Sequence, residues 1–290
     1  MTLSRTRAFA SLLLTIAVLS GCKDNPTIAE ACVAGSKGGP PVIIVGGTFS
    51  PAIANELFLG NAIQAKGYTH CVLELKGAEE LGDLPGTMNV LVSAGALKLF
   101  VDDVLEWSGA SQVDLVGHSQ GVLAARSYIK TFGGEPYVRK LVSLSGPNSG
   151  VDSIPLLDFF IGPVLGAFGV TCDEVAPCVQ MQIGSDFLTD LNAGDMTPGN
   201  VEYYAFYTNN DELVWYWDEG PFGIPVVKYD NAKLGPGATN IELGQMCPFR
   251  VVGHLGMIAD PVPIHMTLDA LAGNNISVPF YMCWLPPVII

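Results

Sequence analysis

The sequence predicts an α/β domain: a mostly parallel central sheet with helices on both faces and a small lid or cap region. Three observations predict it. Short, continuous apolar runs of the kind that suits strands buried on both faces alternate with longer stretches of helical spacing. Glycine or proline marks most of the changeovers. The chain has 290 residues, of which 49% are hydrophobic and 14% charged, enough for one sizeable core and too apolar for a disordered chain.

The elements follow in order. Arg5 and Arg7 begin a positive N-terminus, and Phe9 to Leu19 is an apolar run too short to span a bilayer comfortably. Leu19-Ser20-Gly21-Cys22 then resembles a bacterial lipobox, in which the cysteine is acylated and becomes the new first residue. Residues 1–21 therefore read as a lipoprotein signal, 22–40 as a lipidated Cys22 and its tether, and 41–290 as one domain. Pro41 to Val45 is the first buried-strand candidate, ending in Gly46-Gly47-Thr48. A helix is expected from 52 to 66, a strand from His70 to Leu75 and a helix from Val90 to Trp107. Val113 to Val116 is a second buried strand, followed by a helix from Val122 to Phe132 and a strand from Leu141 to Leu144. Later strands are expected at 202–208 and 240–243, and a helix at 261–271. The stretch 151–170 is apolar but broken by glycines and prolines. It suits either a lid or acyl-binding wall, or a plain pair of short core helices.

Charge and cysteines narrow the function classes. The formal net charge is −14, and loss of Arg5 and Arg7 with the signal makes it −16. So acidic a chain argues against nucleic acid and anionic membrane surfaces as partners. Six cysteines follow Cys22: Cys32, Cys71, Cys172, Cys178, Cys247 and Cys283. An even number in an exported chain suggests disulfides, although six cysteines allow fifteen pairings. Without a C-x-x-C, and with only four histidines, a metal site is not expected.

The chemistry-bearing motif is Gly117-His118-Ser119-Gln120-Gly121. GxSxG alone is weak evidence, but here a buried strand runs in and a helix runs out. That is the context of a nucleophile elbow, where a strained turn exposes the serine hydroxyl beside a helix N-terminus. A serine hydroxyl needs a base, and the base needs an orienting acid. In this fold the acid and then the histidine follow the serine in the chain. His70 is out of order, and His118 lies within the elbow, where local packing or hydrogen bonding suits it. His254, in Gly253-His254-Leu255-Gly256, is preferred over His265, which falls in an expected helix. Asp211, just beyond the strand 202–208, is preferred over Glu212, Asp218 and Asp230 as the acid. The oxyanion donors are expected from the N–H of Gln120 and from the loop near Thr48.

In combination, these pieces resemble the class 2 secreted bacterial lipases and, more distantly, Candida antarctica lipase B. The resemblance runs from about Pro40 to Cys283. It is carried by Gly47-Thr48, Gly67-Tyr68 with Cys71, the run Val113 to Gly121, Ser185-Asp186-Phe187-Leu188 with Leu191-Asn192-Ala193-Gly194, Asp211-Glu212-Leu213-Val214, and Cys247-Pro248 leading to His254. It implies an α/β-hydrolase fold and a triad of Ser119, Asp211 and His254. It also implies that Thr48 gives both its N–H and its hydroxyl to the oxyanion, with Gln120 giving its N–H. Disulfides Cys32–Cys71 and Cys247–Cys283 follow from it, which leaves Cys172 and Cys178 for a third. One departure is Gly46-Gly47, where many relatives carry His-Gly. The expected activity is hydrolysis of a neutral ester or lipid by a cofactor-free enzyme, exported and either anchored to the cell envelope through Cys22 or extracellular. The apolar stretches 213–226 and 276–290 are candidates for pocket walls or ordinary core. An acyltransferase with the same triad, and a non-catalytic lipid-anchored binding protein, are the alternatives.

Overall fold

Four consecutive apolar residues, Val42–Val45, lose all contact with solvent. They can do so because they form a strand in the interior of a sheet covered on both sides. The structure is a computed structural model, and it describes residues 27–152, 162, 163 and 165–288.

Among these residues the strands are β1 (Cys32–Val33), β2 (Val42–Val45), β3 (His70–Leu73), β4 (Val113–His118), β5 (Val138–Leu144), β6 (Glu202–Tyr207), β7 (Tyr216–Glu219), β8 (Pro225–Lys228) and β9 (Ala238–Glu242). Seven of them form one sheet in the order β1-β3-β2-β4-β5-β6-β9, while β7 and β8 pair as a separate antiparallel ribbon. Every pairing in the large sheet is parallel except β1 against β3. The helices that matter are α1 (Ile28–Ala31), α2 (52–65), α3 (Val90–Ser108), α4 (Gln120–Thr131), α5 (Asp186–Asn192), α6 (Gly256–Ala259) and α7 (Pro261–Ala272).

The strand period of two sorts the apolar runs onto two faces. Ile43, Val45, Leu115 and Ala205 pack against Leu97 and Val101 of α3 and against Ala125 and Tyr128 of α4. Val42, Ile44, Val116 and Phe206 pack against Leu59 and Ile63 of α2 and against Val262 and Met266 of α7. Helix ends carry local signals. Asn89 accepts the Leu91 N–H at 2.8 Å to start α3, and Asp260 accepts the Val262 N–H at 3.0 Å to start α7 with Pro261 in its first turn.

Several elements differ from the sequence expectation. The stretch read as a tether takes part in the fold from Thr27 onward. Thr27 and Glu30 make a capping box for α1, and Cys32–Val33 pairs with β3. A two-residue strand leaves no periodic pattern to read. β5 begins at Val138, earlier than the expected 141. The β7–β8 ribbon falls within a stretch read as pocket wall or core. Half of the stretch read as a lid or a helix pair, 153–161 and 164, lies outside the described residues. Leu165, within it, is fully buried beside Leu81, Val175 and the cysteines Cys172 and Cys178.

Candidate active site

The sheet order fixes where a site can form. From β2 the chain moves to β3 on one side, then returns to β4 on the other. The carboxyl ends of β2 and β4 therefore flank a topological switch point, where a crevice opens in such sheets. β4 ends at His118 and α4 begins at Gln120, so Ser119 alone makes the turn, at φ 54° and ψ −129°. A positive φ on a non-glycine residue is strained and persists only where its surroundings enforce it. They do so by close approach. A Cβ on Gly121 would collide with the backbone carbonyls of Val45 and Gly46, and one on Gly117 would lie 2.9 Å from the Val122 nitrogen.

The loop after β2 passes directly beside the serine. A Cβ on Gly47 would sit 3.2 Å from Ser119 Oγ. The next residue, Thr48, donates its hydroxyl to Gln120 Oε1 at 2.5 Å, tying this loop to the first turn of α4. Among the described residues, the N–H groups of Thr48 and Gln120 have no acceptor. First-turn amides have no partner within their own helix, so the N–H of Gln120 is available to an anion. The Thr48 hydroxyl has one proton, and here that proton is engaged by Gln120.

His254 and Asp211 meet at the same end of the sheet, both almost fully buried. His254 Nδ1 lies 3.0 Å from each Asp211 carboxylate oxygen. Because a carboxylate only accepts, Nδ1 carries the proton and Nε2 keeps its lone pair. Asp211 Oδ1 also accepts the N–H groups of Leu213 at 2.9 Å and Val214 at 2.8 Å. Burial alone disfavours both charges. For His254, the charge and hydrogen bond of Asp211 outweigh that cost, and its pKa ends above the ordinary histidine value. Burial pushes the Asp211 carboxyl up, but the charge and hydrogen bond of His254 and the Val214 N–H bring it below the ordinary carboxylate value.

Two further side chains touch the peptide of His254. Glu212 Oε2 accepts the His254 N–H at 2.8 Å. His118 Nε2 donates to the His254 carbonyl at 3.0 Å, and the two imidazole centroids are 4.7 Å apart. Burial, then the charge of His254, lowers the His118 pKa to about 3. The other histidines lie elsewhere. His70 pairs with Glu56 at 2.8 Å, and His265 faces Asp269 at 3.8 Å on α7. Asp218 is exposed on β7, and Asp230 accepts the Tyr216 hydroxyl at 2.8 Å.

The family model Lipase (class 2) matches residues 39–234. The chain belongs to the class 2 lipase family. No curated protein matches this chain. Among solved structures it resembles Aspergillus fumigatus lipase B at 19% identity and a TM-score of 0.61, over 89% of this chain and 60% of that one. It also resembles the mature form of Bacillus licheniformis lipase BlEst2, at 19% identity and a TM-score of 0.53, over 79% of this chain and 91% of that one. The propeptide form of BlEst2 aligns at 18% identity and a TM-score of 0.58, over 86% of this chain and 55% of that one. The class 2 lipase chain thus spans about three-fifths of the length of the Aspergillus chain. At these identities the likeness carries the α/β-hydrolase fold.

The cysteines of this class 2 lipase pair as Cys32–Cys71, Cys172–Cys178 and Cys247–Cys283. Three disulfides go with an oxidising compartment. Among the described residues, no helix is long and apolar enough to cross a membrane. The Cys247–Cys283 bridge ties the histidine loop to the C-terminal segment. Arg250 reinforces it. Its guanidinium pairs with Asp260 at 2.8 and 2.7 Å and donates to the carbonyls of Met282 at 2.9 Å and Leu285 at 2.7 Å. Of the apolar stretch 213–226, Val214 is buried, whereas Trp217, Phe222 and Ile224 stand exposed on the ribbon. A two-stranded ribbon has no second strand layer of its own to cover its faces.

Sequence reasoning missed the contacts to the His254 peptide. Glu212 drew attention only as a rival acid, and His118 only as a locally packed ring. A signal was present in Gly253, where a Cβ would lie 2.7 Å from Glu212 Oε2. With no side chain there, the carboxylate approaches the next N–H unobstructed.

Proposed function

We infer that the chain is a serine carboxylic-ester hydrolase that cleaves neutral acyl esters through an acyl-enzyme on Ser119. The observation that carries this reading is the buried His254–Asp211 pair at the end of the sheet where Ser119 is held in its strained turn. Membership of the class 2 lipases supports the reaction class. In this reading His254 Nε2, its lone pair left free by the Nδ1 bond to Asp211, takes the Ser119 proton as Oγ attacks the ester carbonyl. The N–H groups of Thr48 and Gln120 receive the developing oxyanion, each such donor being worth roughly a hundred- to a thousandfold in rate. His254 then hands the proton to the departing alcohol. Water, deprotonated by the same imidazole, attacks the acyl-enzyme and releases the acid. The −14 net charge suits release of an anionic product.

Export and anchoring through Cys22 belong to the same proposal, supported by the Leu19-Ser20-Gly21-Cys22 motif, which lies outside the described residues. The test is labelling with a fluorescent alkyl phosphonate, which traps an activated serine by mimicking the tetrahedral state. The wild-type protein is expected to label and Ser119→Ala is not. A folded wild-type chain that stays unlabelled by both short and long probes overturns the hydrolase reading.

A further inference from the structure

His254 lies in a turn between the disulfide-tied Cys247 and α6, where no strand neighbour fixes its backbone. The bond to Asp211 orients the ring, but a ring bonded at one nitrogen can still shift with its peptide. That peptide is held from two directions. The carboxylate of Glu212, next to Asp211, takes its N–H at 2.8 Å. The imidazole of His118, next to Ser119, gives a hydrogen bond to its carbonyl at 3.0 Å, and the Met257 N–H occupies that carbonyl's other lone pair at 3.2 Å. Each holding residue is thus the chain neighbour of another member of the triad proposed above.

The His118 contact is costly for the fold. His118 is 2% exposed, and its Nδ1 has no partner among the described residues. A buried polar atom without a partner destabilises, and an apolar side chain of similar size would not carry that penalty. A local rule broken in this way, with the only hydrogen bond from that ring going to His254, marks a position held for function. Gly253 is the second sign, since it leaves free the space that the Glu212 carboxylate occupies.

We propose that His118 and Glu212 are positioning residues that clamp the peptide of His254 and so set the base in register with the nucleophile. This rests on the hydrolase reading above. β4 is buried along its whole length, so His118 is as rigid as the sheet. Through it, the strand that carries Ser119 also locates His254. The charged and titratable groups facing His254 are Asp211 and Glu212 from the loop after β6 and His118 from the end of β4.

The test is a set of variants of the full chain, read by kcat, KM, the pH profile and the low-field Nδ1–H proton resonance of His254. His118→Gln presents an N–H at the reach of the imidazole Nε2, whereas His118→Asn is too short and His118→Leu has none. The Gln variant is expected to keep kcat within about threefold, and the Asn and Leu variants to lose about ten- to a hundredfold with KM little changed, the scale of a small misplacement of a reacting group. Glu212→Gln keeps an acceptor for the His254 N–H but removes a charge that favours the imidazolium. It is expected to retain kcat within about threefold while its acid limb moves to lower pH. Glu212→Ala loses kcat as well.

Wild-type kcat and an unmoved His254 resonance in His118→Leu overturn the clamp. If that variant does not fold, equal impairment of the Gln and Asn variants overturns it, because packing and not the N–H would then matter. If the wild-type chain shows no phosphonate labelling, the hydrolase reading fails. The His254 resonance still decides the clamp, since it needs no turnover.

Discussion

Strand β4 and the β7–β8 ribbon show how far its neighbours decide whether a strand is buried. Val113–His118 carries a charge and a histidine, yet every one of its six residues is buried. Tyr216–Glu219 carries Tyr216 and Trp217 beside two acids, and three of its four residues, Trp217 among them, are exposed. The difference lies in their neighbours. β4 has β2 and β5 alongside and helices on both faces, whereas β7 has only β8. Ser119 therefore stands on an element that cannot shift without unpacking the sheet. Asp211 lies close to the ribbon in sequence but does not depend on it. Its carboxylate is fixed by the N–H groups of Leu213 and Val214 and by His254.

Substitutions can break or sharpen this contrast. The largest effect is expected from Asp211→Asn, at about ten-thousandfold in kcat if the asparagine favours the wrong imidazole tautomer, as in other triads. Its acid limb should also fall, because the carboxylate that raises the His254 pKa is gone while the burial that lowers it remains. A pH profile of kcat/KM measures both, and the wild-type limb should lie above the ordinary histidine value of about 6.5. Next comes Leu115→Ala, a fully buried side chain of β4, expected to cost about 2–5 kcal/mol in urea denaturation. Gly121→Ala should cost at least about 1–3 kcal/mol, because its methyl group meets the immovable carbonyls of β2 and its loop. The smallest effect, and the only stabilising one, is expected on the ribbon. Phe222 is fully exposed at φ 62°, so Phe222→Gly should relieve backbone strain and gain about 0.5–1 kcal/mol by the same measurement. A loss there would mean that the aromatic ring has a partner in the folded chain.

The same contrast explains what was legible in the sequence. β2, β4 and β6 announce themselves because burial on both faces demands continuous apolar runs, and the elbow glycines announce a close approach that only hydrogen fits. α1 and β1 are too short to show a period, and the place of β1 in the sheet depends on a partner 39 residues away, Cys32 opposite Cys71. The ribbon itself left no clear period, because aromatic residues suit an exposed pleated surface as well as a core. At the site, the order of serine, acid and histidine along the chain pointed to Ser119, Asp211 and His254. Apart from the glycine at 253, nothing marked the hold of Glu212 and His118 on His254, because in each case one partner is a backbone atom that any residue type supplies. His118 lies 136 positions from the residue it touches.

The C-terminal segment has a mechanical consequence. Cys283 is bonded to Cys247, and Arg250 grips the carbonyls of Met282 and Leu285 while pairing with Asp260 at the start of α7. A load applied at the end of the chain therefore reaches the histidine loop before it reaches the sheet. A fusion partner, a surface attachment or a truncation at that end would pull on the mount of His254, whereas the same manipulation ahead of Thr27 would be borne by Cys32 and Cys71 at the far edge of the sheet.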